Sequence, residues 1–189
     1  LILKNKLGKE GVSYDPYNYL ISDSEIIAIV KDGRIDEMIS ENESGVLIIN
    51  KTGFYIESGG QVSDTGSILS LDEKNEFVVE EVRKPAPGLV VHFGKMVKGE
   101  FKIGDKALAK IDISRRRDIM RNHTATHLLH AQLRQLFGEH IRQAGSLVAP
   151  DRLRFDFTHP NPLTEDELEA IENGINHHIL NNYELRIEK

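Results

Sequence analysis

The segment HTATHLLH, from His123 to His130, carries two imidazoles, His123 and His127, four residues apart. On a helix this spacing stacks them on one face, a turn apart, where both rings reach a single metal ion. His130, seven residues beyond His123, falls near the same face. Eight histidines in 189 residues also meet at helical spacing by coincidence, so at this point the pair is either a ligand set or two unrelated rings. HExxH protease chemistry is excluded, because Thr124 stands where the Glu general base belongs. A second cluster, GFYIESGGQVSDTG over 53–66, sets four glycines among Glu57, Gln61 and Asp64. The vicinal pair Gly59-Gly60 permits positive φ and close backbone approach, and the Gln61 amide offers both donors and an acceptor. The same residues would also suit an ordinary β-turn or bulge. A phosphate-cradling P-loop is excluded, since no Lys follows the glycines. Between Arg115 and Arg154 eight Arg stand against Asp118, Glu139 and Asp151, and no Lys intervenes. Arg matches phosphate in a planar, bidentate way that Lys does not. Arg115, Arg116, Arg117 and Arg121 are therefore candidates for contact with a nucleic-acid backbone, the plainer alternative being a solvated helix face.

The elements that must hold these groups follow from periodicity. Apolar runs at 26–30, 46–49, 77–82, 89–93 and 107–113 are cut by turn signals at Asp32-Gly33, Gly59-Gly60, Pro85 to Gly88 and Gly104-Asp105. Short strands so spaced, with no helical pattern between them, predict a small antiparallel barrel or sandwich. Near Ile113 the period changes from two to three and four: Ile119, Met120, Leu128, Leu129, Leu133, Leu136 and Phe137 predict a helix capped by Ser114 and stopped by Gly138. Residues 146–157 read as a hairpin turned at Ala149-Pro150-Asp151, with Leu153, Phe155 and Phe157 on its apolar face. Thr164 and Glu167 form a capping box ahead of a second helix, whose stripe is Leu168, Ile171, Ile175 and Ile179 and whose weak point is Gly174. The fold class expected is α+β, a small antiparallel β-barrel followed by a truncated two-layer α/β domain. The divisions are 1–14 as a linker or edge segment, 15–113 as the barrel with its GGQ loop, and 114–189 as the second domain.

Composition narrows the function classes. With 39% hydrophobic and 29% charged residues, the chain has enough apolar material for a core and no apolar run of the roughly 20 residues that span a membrane. The absence of Cys removes disulfides, thiol nucleophiles and thiolate metal sites. A formal charge of −6 speaks against coating nucleic acid by bulk electrostatics, so any such contact is local to the Arg cluster. The chain starts at Leu1 with neither Met nor a targeting segment, which sets the expectation of a piece of a longer, cytoplasmic protein.

Taken together and in order, FYIESGGQVSDTG from Phe54, HTATHLLH, QAGSL from Gln143 and RFDFTH from Arg154 resemble the alanyl-tRNA synthetase family from about Tyr14 onward. The resemblance is to the β-barrel and the editing domain that follow that family's aminoacylation part, and to its free-standing editing relatives. It implies hydrolysis of seryl- or glycyl-tRNA wrongly formed on alanine tRNA. Such a step has a physical reason: a pocket shaped for a methyl group cannot exclude glycine by size, and it rejects an added hydroxyl by only about 10². The resemblance further implies zinc on His123 and His127, the Thr126 hydroxyl near the reacting ester, and Gln143 as a polar wall. Ser146, Asp156 and the loop Gly59, Gly60 and Gln61 become pocket candidates. ATP belongs to the family's catalytic part, outside this chain, and the rest of the synthetase chain is the implied partner beside the tRNA.

Two departures from the family pattern stand out. Ser63 occupies a position where glycine is usual, and the family's later CxxxH ligands lie beyond Lys189. Two imidazoles are fewer than the three or four protein ligands of a zinc site, so this segment alone is expected to edit poorly. The alternatives are a stand-alone editing hydrolase and a non-catalytic tRNA-binding module, distinguished by whether a CxxxH follows.

Overall fold

The computed structural model describes residues 11–18 and 20–184. The chain divides into two compact units, one comprising the chain to Ser58 and Val62–Arg116, the other Gly59–Gln61 and the chain from Arg117 onward.

Most of the first unit is strand. In chain order its elements are β1 (Ser13–Tyr14), β2 (Ile21–Lys31), β3 (Arg34–Asp36), β4 (Met38–Ser40), β5 (Ser44–Ile49), β6 (Lys51–Thr52), β7 (Gly66–Ser70), β8 (Glu76–Ala86), β9 (Leu89–Lys98), β10 (Glu100–Lys102) and β11 (Lys106–Ile111). Six of them run β11-β7-β8-β9-β5-β2, and β11 pairs back onto β2, closing an antiparallel barrel. Closure is visible at Ala109, which faces Ser22 on one side and Ile68 on the other. Alternation along β2 puts Ser22, Ser24 and Ile26 inward and leaves Ile21 and Asp23 in solvent, the pattern of a sheet with one buried face. Asp32 and Gly33 both adopt positive φ, as a two-residue hairpin between Lys31 and Arg34 requires.

The expected linker over 1–14 lies outside the described residues as far as residue 10. From there, Val12 donates its N–H to Gly88 O at 2.8 Å and is buried, and β1 runs parallel to β6. The barrel core gathers Phe54, Phe77, Phe101 and Met96 with the branched residues of β2, β5, β8 and β11.

Helix α1 (Ile113–Phe137) starts in the first unit and continues into the second. Its cap corrects the expectation from sequence: Asp112, not Ser114, accepts the Arg115 N–H at 3.0 Å while its own carbonyl takes the Arg116 N–H. The aspartate is the stronger choice because it also brings a negative charge to the positive end of the helix dipole. Gly138, at φ 100, stops the helix as its position foretells.

In the second unit, β12 (Gln143–Val148) and β13 (Leu153–Phe157) form an antiparallel hairpin, and α2 (Glu165–Asn181) carries the full Thr164/Glu167 capping box. Leu133, Ile141 and Ile171 are its buried core, with Leu129, Phe137, Phe155, Phe157, Leu163 and Ile175 packed around them. Leu128 is only half-buried and does not join this cluster. The predicted stripe on α2 is covered only in its middle, since Leu168 and Ile179 are about half exposed. Gly174 also serves packing, because a Cβ there would lie 2.4 Å from the Gln132 carboxamide of α1. Among the described residues no helix is long and apolar enough to cross a membrane.

Candidate functional site

The stretch Gly53–Thr65 links β6 to β7 without forming a strand of its own, and its two ends do different work. In the first unit it is held by Asp64. That carboxylate accepts the Tyr55 N–H at 2.7 Å and, on both oxygens, the guanidinium of Arg116, which also donates to Pro16 O and Gly53 O. Both partners are nearly sealed from water, and all three guanidinium nitrogens and both carboxylate oxygens are engaged, the condition under which a buried ion pair is tolerated. Arg116 is therefore corrected: it is internal structure, not a phosphate contact. Ser63 is accommodated by a bond of its own, since its Oγ accepts the Val82 N–H at 3.1 Å and its φ is not in the left-handed region that would demand glycine.

At the base of the same stretch lies His92, which sequence reasoning missed. It is fully buried, its Nδ1–H donates to Leu47 O at 3.2 Å, and its Nε2 accepts from the Thr52 hydroxyl at 2.9 Å. Thr52 Oγ1 in turn accepts the Phe54 N–H. Burial pushes the His92 pKa down to about 4, so the ring is neutral. A lone His in an apolar strand carries no spacing signal, and only the fold reveals its partners.

Within the second unit, Gly59 and Gly60 take φ of 61 and 85, conformations that β-carbon-bearing residues avoid. At Gly60 the requirement is doubled, because a Cβ would sit 2.3 Å from Ser146 O. Val148 N–H donates to Gly60 O at 2.8 Å, and Gln61 forms a parallel bridge with Val148. This docks the glycine loop against β12 and presents Gln61, 7% exposed, to α1. His123 Nδ1 lies 2.7 Å from Gln61 Oε1, and His123 Nε2 lies 3.2 Å from His127 Nε2. Because Oε1 only accepts, the proton sits on Nδ1 and the His123 Nε2 presents a lone pair. Burial first, and the neighbouring His127 second, hold the His123 pKa below its ordinary value.

The separation of the two Nε2 atoms is itself a chemical clue. Zn–N bonds of about 2.0–2.1 Å at a tetrahedral angle set two nitrogens about 3.3 Å apart. The pair therefore fits two corners of a zinc site. A third corner is not supplied: among the described residues, no three His, Cys, Asp or Glu side chains converge. His130 does not contribute, for its ring lies beside Phe155 and its Nε2 is buried without a partner.

The other candidates are placed as follows. Thr126 is buried on α1, and its hydroxyl donates to Asn122 O at 2.8 Å, leaving oxygen lone pairs free to accept. Gln143 is exposed at the start of β12, outside the Gln61–His123–His127 network. Ser146 meets the glycine loop through its backbone, and Asp156 lies over Gly145 and pairs with Arg154 at 3.2 Å. In the first unit, Arg115 gives one N–H to Ser63 O. In the second, Arg117 and Arg121 are exposed four residues apart, Arg121 also touching Asp118.

The sequence of the chain is similar to those of known proteins. Alanine–tRNA ligase of Rhodopseudomonas palustris is 48% identical over 97% of this chain, and that of Carboxydothermus hydrogenoformans is 45% identical over 98%. The same-named enzyme of Fervidobacterium nodosum is 47% identical over 87%. The chain spans about a fifth of the length of these curated relatives. The family described as tRNA synthetases class II (A) matches residues 5–115, which takes in the barrel and the whole stretch Gly53–Thr65. With the greater part of its length so matched, the chain belongs to the class II (A) tRNA synthetases.

Proposed function

We propose that the chain is a segment of an alanine–tRNA ligase whose second unit hydrolyses the ester of alanine tRNA mischarged with serine or glycine. The observation that carries this reading is the convergence of His123 and His127 at 3.2 Å, with His123 held from behind by Gln61. Its setting would be the cytoplasm, with ATP-driven alanine activation belonging to none of the residues described. The ester step needs three things: a placed water, relief of the charge that develops on the carbonyl oxygen, and a grip on the amino acid. Zinc, held by His123 and His127, would supply Lewis acidity or an anchor for the substrate. Thr126, its proton already committed to Asn122, offers an acceptor for the attacking water or for the amino acid's ammonium group. Gln143, Ser146 and Asp156 are assigned to the walls around the amino acid. Arg117 and Arg121, exposed on one face of α1, are assigned to phosphate of the tRNA, with Arg115 contributing the donors that Ser63 leaves free.

The test is release of serine from seryl-tRNA by a full-length ligase containing this segment. His123→Ala and His127→Ala are expected to lower the rate by at least 10², and Thr126→Val to lower it while bound zinc is retained. Deacylation indifferent to both His substitutions overturns the reading. A second reading, a tRNA-binding module without catalysis, is favoured by the two-ligand count among the described residues. It predicts salt-sensitive tRNA binding that weakens in Arg117→Ala and Arg121→Ala, with no serine release from any form.

A further inference from the structure

We propose that Gln61 is a positioning residue that sets the tautomer of His123 and so aims the His123 Nε2 lone pair toward His127. A carboxamide has two ends of opposite character. When its oxygen faces the ring, Nδ1 must carry the proton and Nε2 is bare; when its NH2 faces the ring, the protons are reversed and Nε2 becomes a donor. The 2.7 Å contact from His123 Nδ1 is to Oε1, which selects the first state. Only in that state does Nε2, 3.2 Å from its counterpart on His127, serve as a ligand or an acceptor.

The backbone supporting Gln61 leaves it little choice of position. The Gly60 carbonyl is taken by Val148 N–H at 2.8 Å, Gln61 itself bridges to Val148, and the contact with Ser146 O admits no β-carbon at residue 60. Gln61 is also nearly sealed from water, so solvent does not compete for the bond. A glutamine thus takes the place usually filled by a carboxylate or backbone carbonyl behind a metal-binding histidine, and it does so without adding negative charge. The glycine pair is explained in the same stroke: it is the backbone shape that delivers a side chain to a ring 62 positions away in sequence.

The inference uses the proposed function only in calling His123 a ligand; the tautomer is read without metal or tRNA. The experiment is two-bond 1H–15N correlation of the histidine rings in the 15N-labelled chain at neutral pH. Wild type and Gln61→Glu are expected to show the Nδ1–H form at His123. Gln61→Met, similar in volume and with only a weakly accepting thioether in place of the carbonyl oxygen, is expected to show the Nε2–H form that a free imidazole side chain prefers. Unshifted amide signals of Ser146 and Val148 would show the loop still seated in that variant. Gly60→Ala, which keeps Gln61 but displaces its backbone, should also lose the Nδ1–H form. Added Zn²⁺ alone, followed through the His123 ring signals, should bind about 10- to 100-fold more weakly to Gln61→Met than to wild type, and as well to Gln61→Glu. An Nε2–H form in wild type, or a tautomer unchanged in Gln61→Met, overturns the inference. Serine release indifferent to His123 substitution would overturn the functional reading instead and leave the tautomer result standing.

Discussion

Among the described residues, twenty hydrophobic side chains are buried together in the barrel, whereas in the second unit Leu133, Ile141 and Ile171 form the buried cluster and Ile119, Val148 and Ala149 are buried outside it. The contrast extends to polar groups. In the barrel, Asp64, Arg116, His92 and Thr52 are sealed from water with their hydrogen bonds satisfied inside the protein. In the second unit His127, Gln143, Asp156, Arg117 and Arg121 remain exposed. Each fully buried branched or aromatic side chain contributes roughly 1.5–3 kcal/mol, so the barrel has stability to spare for desolvating charge and the second unit has little. The sealed polar residues just named in the first region therefore belong to its architecture, and the exposed ones named in the second lie where a ligand can reach them.

Three measurements would break or sharpen this contrast. The largest effect is expected at Arg116→Ala, which strands the Asp64 carboxylate in the barrel. Urea unfolding should show a loss of about 3–5 kcal/mol. A loss below about 1 kcal/mol would mean that the pair is solvated, and that the barrel is not the sealed region described. Next is the pH dependence set by His92. With its folded pKa at about 4 and an ordinary value near 6.5, the unfolded chain binds a proton between these limits that the folded chain refuses. This contribution to stability is complete above pH 6.5 and shrinks as pH falls, by roughly 3 kcal/mol on reaching pH 4. Urea midpoints taken between pH 6.5 and 5 should decline in wild type and decline less in His92→Gln. Equal slopes would remove His92 as the cause. The smallest effect belongs to Leu168→Ser on α2, a side chain 52% exposed, where the change should stay within about 0.5 kcal/mol. A cost of several kcal/mol there would show that this face is covered in solution and that the second unit's core extends further.

Legibility from sequence followed the same divide. Barrel strands, the Asp32-Gly33 hairpin, α1 with its Gly138 stop, and the capping box of α2 rest on local period and local turn chemistry, which any short window contains. Arg116 could not be separated from Arg115 and Arg117 in the same way. Three consecutive residues face three directions on a helix, and the one turned inward is chosen by Asp64, 52 positions earlier. Asp and Ser are both capping residue types, so type alone does not place the helix start, and the strand end at Ile111 settles it at Asp112. The His123–His127 spacing and the Gly59-Gly60-Gln61 loop were each visible, but their meeting was not. No periodicity encodes a hydrogen bond between segments so far apart, and only the seating of the loop on β12 brings them together.

That seating has a bearing on solubility as well as chemistry. A two-stranded ribbon offers unpaired N–H and C=O groups along its flanks, on which a strand from another molecule can add. By occupying Val148 N–H and lying against Ser146 O, the glycine loop closes part of the β12 flank to such pairing. A bulky residue at Gly60 should therefore announce itself in concentrated solution as self-association, through light scattering that rises with protein concentration. The glycine that brings Gln61 to His123 would then also guard the protein against its own copies.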